Sequence, residues 1–88
     1  MTKELDTISV TIMSPDAVLW SGDVTSLAST NSEGKFDILP DHARFMTVIE
    51  KVPIILYKKD GKEQSFTFDT AVVFFQDNNA KIYTHTGE

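Results

Sequence analysis

Residues 32–43 read Ser32-Glu33-Gly34-Lys35-Phe36-Asp37-Ile38-Leu39-Pro40-Asp41-His42-Ala43, and the fold is decided in this stretch. Gly34 takes φ > 0 at no steric cost, so Asn31 to Gly34 reads as a tight turn. Phe36 and Ile38 alternate with Lys35 and Asp37, the period-2 pattern of a half-buried strand. Pro40 has no N–H to give to a ladder, so the strand stops before it. Asp41, His42, Ala43 and Arg44 then form a polar, exposed corner. Turn, short strand, stop and corner within a dozen residues are the grammar of a β protein.

The flanking chain repeats that grammar. Ile8, Val10 and Ile12 alternate with Thr7, Ser9 and Thr11, a strand with one buried face. Ser14-Pro15-Asp16 is a turn. Ala17 to Trp20 is a short apolar strand, closed by Ser21-Gly22-Asp23, and Val24 to Thr30 is a weaker one. Phe45 to Ile49 is apolar and β-rich, and Glu50-Lys51 breaks it. Pro53 near the start of Val52–Tyr57 suggests an edge strand or an unpaired N–H direction. Asp60-Gly61 favours a type I′ hairpin turn. The return strand points Phe66 and Phe68 inward. Ala71 to Phe75 is apolar on both faces, which predicts a central strand covered on both sides. Asp77-Asn78-Asn79 is a second hairpin turn, and Lys81 to Thr84 pairs back with Ile82 and Tyr83 on opposite faces.

Composition agrees. Val, Ile and Thr supply 24 of 88 residues, while Ala and Leu supply 10. β-Branched side chains are stiff at χ1 and pack well on a pleated sheet. No window supports a long amphipathic helix. The expected architecture is all-β. It is a two-layer β-sandwich of about eight to ten short, mostly antiparallel strands, in a single domain over residues 1–88. A chain of this size buries only about 60% of its unfolded surface, so the core is thin. No cysteine is present to supplement it with a disulfide.

Charge narrows the function classes. The net charge is −5, from 13 acids against 8 bases, and Arg44 is the one arginine. An acidic chain repels phosphate backbones and anionic bilayers, which disfavours nucleic acid and direct lipid binding. No apolar run reaches the ~18 residues of a membrane-spanning helix. The N-terminus has neither a signal core nor a transit pattern. A soluble cytosolic-side protein is the expectation.

The chemistry-bearing residues are sparse. Side-chain nucleophiles need a base within reach, and the two histidines, His42 and His85, lie far apart in the chain. No phosphate-binding glycine loop, HExxH or CxxC occurs. Asp37, Asp41 and His42 could meet His85 around a cation, which would need three or four converging ligands. A solvated corner capping a turn accounts for the same residues more simply. No catalytic group, metal site, cofactor site or small-molecule substrate is expected. The nine aromatic residues sit mostly at strand-core spacing. Phe74-Phe75 and Tyr57 face both ways, so some aromatic surface is left for a protein partner.

Three blocks carry a family resemblance: Trp20-Ser21-Gly22, Ser32-Glu33-Gly34-Lys35-Phe36, and Ile38-Leu39-Pro40-Asp41-His42-Ala43. Together they resemble the ε subunit of bacterial F-type ATP synthases. The family pattern is an aromatic-Ser-Gly turn, then Glu-Gly-x-hydrophobic-Gly-Ile-Leu-Pro-Gly-His-Ala-Pro. The likeness runs from Ile8–Met13 to Lys81–Thr84 and is strongest over positions 20–43. Asp37 and Asp41 stand where the family usually has Gly, and Arg44 where it usually has Pro. The usual Gly-Gly pair near Asp69-Thr70 is absent. Family members commonly carry a C-terminal pair of α-helices after the sandwich. Short forms with the sandwich alone also occur.

The resemblance implies a mechanical, non-catalytic role. In the family the sandwich sits at the foot of the rotor's central stalk, packs on the γ subunit and rests on the polar loops of the c-ring. It couples ion-driven rotation to ATP synthesis, as a peripheral component on the cytoplasmic side of the bacterial inner membrane. By motif position, Glu33, Gly34 and Lys35 would form the ring-facing loop. Pro40, Asp41, His42, Ala43 and Arg44 would lie near the γ and ring contacts. The family often has a carboxylate at position 35, and here Lys35 reverses that sign. Glu33 and Asp37 are expected on the same side as Lys35, offering a basic ring loop negative surface. Two alternatives remain at this point. One is a free-standing sandwich adaptor outside the synthase. The other is a small β enzyme or metal-binding protein using Asp41, His42 and His85.

Overall fold

The computed structural model describes residues 7–84, and every regular element in them is a β-strand. The strands are β1 (Ile8–Met13), β2 (Val18–Val24), β3 (Ser26–Asn31), β4 (Gly34–Ile38) and β5 (Phe45–Ile49). They continue as β6 (Pro53–Tyr57), β7 (Glu63–Thr67), β8 (Ala71–Gln76) and β9 (Asn79–Thr84). Two sheets form, one ordered β2-β1-β9-β8-β5 and the other β4-β3-β6-β7. All neighbours are antiparallel except β1 and β9, which run parallel. This is the expected two-layer all-β sandwich.

The alternation seen in the sequence supplies the core. Ile8, Val10, Ile12, Val73, Phe75, Ala80 and Ile82 from one sheet meet Leu27, Ile38, Ile54 and Leu56 from the other, all buried. Burying such side chains stabilises by about 1.5–3 kcal/mol each relative to exposure. Two buried hydroxyls are satisfied by backbone carbonyls: Ser29 Oγ donates to Pro53 O (2.9 Å) and Thr84 Oγ1 to Thr70 O (3.0 Å). Aromatic pairs close the two open seams between the sheets. Trp20 meets Phe66 at 6.1 Å between centroids along one seam, and Phe36 meets Phe45 at 5.2 Å along the other.

Four local expectations change. Ser21-Gly22-Asp23 is not a turn: β2 runs through it, pairing Ser21 with Thr11, Gly22 with Val10 and Asp23 with Ser9. The ladder offered by β1 overrides local turn chemistry. The chain bends instead at Thr25, whose N–H and Oγ1 both donate to Tyr57 O, at 2.7 and 2.8 Å. The single weak strand expected over Val24–Thr30 is therefore the end of β2 and most of β3, on different sheets.

Of the two readings of Pro53, the unpaired N–H direction holds and the edge position does not, because β6 lies inside its sheet. Pro53 is the first residue of β6, beyond the last residue paired with β3, so the missing N–H costs no bond in that ladder. The Asp60-Gly61 connection is not type I′. Gly61 N–H bonds Lys58 O, Lys58 N–H bonds Lys62 O, and Gly61 alone has positive φ, at 89°. That is a three-residue loop with a glycine bulge. Finally, β8 is inner but covered on one side only among the described residues: Ala71, Val73 and Phe75 are buried, while Val72 and Phe74 are half-exposed.

Candidate partner interface

The expected interface residues lie along one edge of the sandwich, not in one cluster. β4 is an edge strand. At its start, Glu33 and Ser32 form the two-residue turn that joins Asn31 to Gly34. Glu33 N–H donates to Asn31 Oδ1 (2.8 Å), and Asn31 Nδ2 donates to Thr47 Oγ1 (3.0 Å). One asparagine thus closes the turn and ties it to β5. Gly34 has φ 123°, which favours glycine at this position. Lys35 and Asp37 alternate with the inward Phe36 and Ile38 and are exposed. Glu33 is exposed in the turn ahead of the strand, so strand alternation does not set its direction.

The corner lies at the other end of β4, roughly 13 Å on at strand rise. Leu39-Pro40-Asp41-His42 is a turn closed by His42 N–H to Leu39 O (3.0 Å). Pro40 occupies its second position and Asp41 its third, with φ 67°, the arrangement of a type II turn. A left-handed conformation costs a residue with a Cβ about 1–2 kcal/mol. That accounts for a glycine in the family pattern at position 41. Asp37 has no positive φ, so its replacement of glycine carries no such strain.

Asp41 recovers part of the cost from a partner. Its N–H donates to Asn78 Oδ1 at 2.6 Å, and Asn78 Nδ2 approaches Asp41 Oδ1 at 3.4 Å. Asn78 sits in the β8–β9 turn, the expected hairpin turn, where Asp77 (φ 53°) and Asn78 (φ 62°) make it type I′. The ring of His42 lies edge-on to Phe45 (5.8 Å) and Phe75 (5.9 Å), and its Nδ1 contacts Ala43 O at 2.7 Å. Arg44 is exposed and borders an open polar cleft with Asp41, His42, Gln76, Asp77 and Asn78. The hairpin residues are part of the corner, although sequence reasoning did not join them to it.

The second surface is the outward face of the five-stranded sheet, of which the sequence marked only the aromatic share at Phe74-Phe75. Register places its side chains in rows across the strands. Val48, Val72, Tyr83, Met13 and Val18 form an apolar row. Met46, Phe74, Lys81, Thr11 and Ser21 form a mixed one, and Gln76, Asn79, Ser9 and Asp23 a polar one nearest the corner. Met46, Val48, Val18 and Tyr83 expose 67, 54, 62 and 45% of their surface. An open apolar groove of about 480 Å³ continues the first row, lined by Met13, Pro15, Ala71, Val72 and Tyr83. The rest of its signal lies in Ala71–Phe75, apolar on both faces, a pattern that a strand covered twice shares with one left open for a partner.

No group of three His, Asp or Glu side chains stands close enough to share an ion among the described residues. His85, a member of the alternative metal cluster, lies outside those residues.

The model of the ATP synthase Delta/Epsilon chain β-sandwich domain matches residues 7–88. The chain is 30% identical to the ATP synthase epsilon chain of a Nitratiruptor species over 76 residues, covering 86% of this chain and 59% of that one. It is 32% identical to the ATP synthase epsilon chain of Leptospira interrogans over 80 residues, covering 91% and 62%. It thus spans about three-fifths of the length of these relatives. Among solved structures, a chain of the Euglena gracilis mitochondrial ATP synthase superposes with a TM-score of 0.84 at 15% identity, covering 94% of this chain and 53% of that one. A chain of the Tetrahymena thermophila mitochondrial ATP synthase central stalk and c-ring gives 0.69 at 17% identity, covering 96% and 66%. At these identities the structural likeness concerns the fold.

Proposed function

Because the chain belongs to the family of ATP synthase delta/epsilon β-sandwich domains, we propose that it acts as a non-catalytic part of an F-type synthase rotor. It packs on γ and on the c-ring, on the cytoplasmic side of a bacterial inner membrane, and passes rotation between them. The observation that carries this reading is the outward face of the five-stranded sheet. A solvent-facing sheet normally alternates apolar inside with polar outside, yet one of its three rows is apolar from end to end and Met46 and Phe74 extend it into the next. Stable interfaces resemble a divided core, and this face suits γ. The close-packed interior beneath it has low compressibility and transmits strain.

The edge from Glu33 to Arg44 then serves the ring. Glu33 and Asp37 supply the negative surface that a basic ring loop would meet, with Lys35 between them in sequence. Co-purification with γ and the c-ring from the same genome tests the whole reading. Association at micromolar concentration is expected, and its absence would overturn the rotor assignment in favour of an adaptor. Met46→Lys combined with Val48→Lys should weaken γ binding tenfold or more. Glu33→Gln combined with Asp37→Asn should weaken ring binding at low salt and leave γ binding unchanged. Unaltered ring binding would remove the acidic-edge assignment alone.

A further inference from the structure

Asn78 is held on three sides. Its carbonyl accepts from Ser9 N–H (2.9 Å), its backbone is fixed in the β8–β9 turn, and its side chain holds Asp41. Asp41, for its part, occupies the one position of the Leu39–His42 turn that disfavours a side chain with a Cβ. A residue in that conformation persists only where its surroundings over-determine it. Here the over-determining contact is the 2.6 Å bond from Asp41 N–H to Asn78 Oδ1.

We infer that Asp41 and Asn78 form a clasp that locks the Pro40–Arg44 corner onto the β8–β9 hairpin and fixes its shape before any partner arrives. Without the clasp the corner is tied by its own turn bond and by the edge-on contacts of His42 with Phe45 and Phe75. With it, the corner, the hairpin and the first residues of β1 become one piece. β8 and β9 also carry the outward apolar face, so edge and face are braced against each other. Preformed shape spares a partner the cost of ordering the loop. The consequence for binding rests on the docking role proposed above; the clasp itself does not.

Two substitutions keep each backbone conformation: Asn78→Gly deletes both bonds of the clasp, whereas Asp41→Gly keeps its N–H and with it the 2.6 Å bond, losing only the 3.4 Å side-chain contact. Asp41→Gly retains the left-handed turn position, and Asn78→Gly retains the type I′ turn. Amide hydrogen exchange on the isolated protein is the direct readout. Asn78→Gly should raise exchange at residues 41 and 42 tenfold or more and Asp41→Gly less than threefold, with exchange in β1 and β6 changed less than twofold. The double variant should exchange no faster than Asn78→Gly alone, since Asn78→Gly already deletes both bonds of the clasp. Unchanged exchange at 41 and 42 in Asn78→Gly, or a double variant that exchanges at least threefold faster than Asn78→Gly, would overturn the clasp. Affinity for the γ and c-ring assembly, measured on the same variants, separates the two ideas. A fall of threefold or more supports the clasp as a preset for docking. Faster exchange with unaltered affinity leaves the clasp standing and removes the corner from the docking surface.

Discussion

Gly22 shows how a single position is set by its neighbour. A Cβ there would stand 2.9 Å from Cη2 of Trp20 and 3.2 Å from Cζ2, because the indole lies along β2 over the glycine. The ring cannot simply step aside, since it packs against Phe66 and carries Lys58 Nζ 5.9 Å from its centroid. Gly22→Ala should therefore lose about 1–2 kcal/mol, as overpacking usually does. The usual gain of about 0.5–1 kcal/mol from replacing a strand glycine offsets part of the loss. Trp20 is the only tryptophan, so a red shift of its emission reports the displaced ring; unchanged emission and stability would show that the seam has slack. Gly34 differs. Nothing lies within 4 Å of a Cβ built there, and its φ of 123° is the whole constraint. Gly34→Ala should cost about 1–3 kcal/mol through strain alone, leaving the Trp20 spectrum unchanged.

Among the elements, β8 gives the sharpest contrast, because two adjacent phenylalanines face opposite ways. Phe75 is fully buried, and Phe74 lies half-exposed on the outward face. Phe75→Ala should cost about 3–5 kcal/mol, a large part of the roughly 5–10 kcal/mol available to a domain of this size. Phe74→Ala should cost about 1 kcal/mol or less and weaken partner binding instead. Urea unfolding of the two variants checks the register directly, since a one-residue slip would exchange their effects. β5 offers a parallel case. Its outward Met46 and Val48 lie on the free edge of the five-stranded sheet. Lysine on an edge strand is tolerated and blocks edge-to-edge pairing. The double lysine variant should therefore stay within about 0.5 kcal/mol of the parent, so its lost binding can be read as an interface effect.

For the whole molecule, the chain changes sheets four times, at Thr25, at the corner, at Lys51 and between β7 and β8. No sheet is complete without strands from distant parts of the sequence, which predicts one cooperative unit. Urea transitions followed by Trp20 fluorescence and by far-ultraviolet circular dichroism should coincide. An earlier fluorescence transition would show that the Trp20 seam opens on its own. The net charge of −5 acts at this scale too. If the partner surface is basic, association should slow by tenfold or more as ionic strength rises from about 0.05 to 0.5 M. A salt-independent rate would leave the apolar face as the determinant of recognition.

Period-2 alternation by itself determined most strands, the inward set Ile8, Val10, Ile12, Phe36, Ile38, Phe66 and Phe68, and the turns at Asn31–Gly34 and Asp77–Asn79. Those features depend on residues within a few positions of one another, where sterics and burial act locally. The passage of β2 through Ser21-Gly22-Asp23, the inner place of β6 and the meeting of Asp41 with Asn78 needed the tertiary structure. Each depends on a ladder or hydrogen bond supplied by a strand or turn remote in the chain, and no local pattern encodes which one arrives. The outward apolar face is the clearest instance: alternation marked Val72 and Phe74 as apolar, but only sheet order decided that among the described residues nothing covers them.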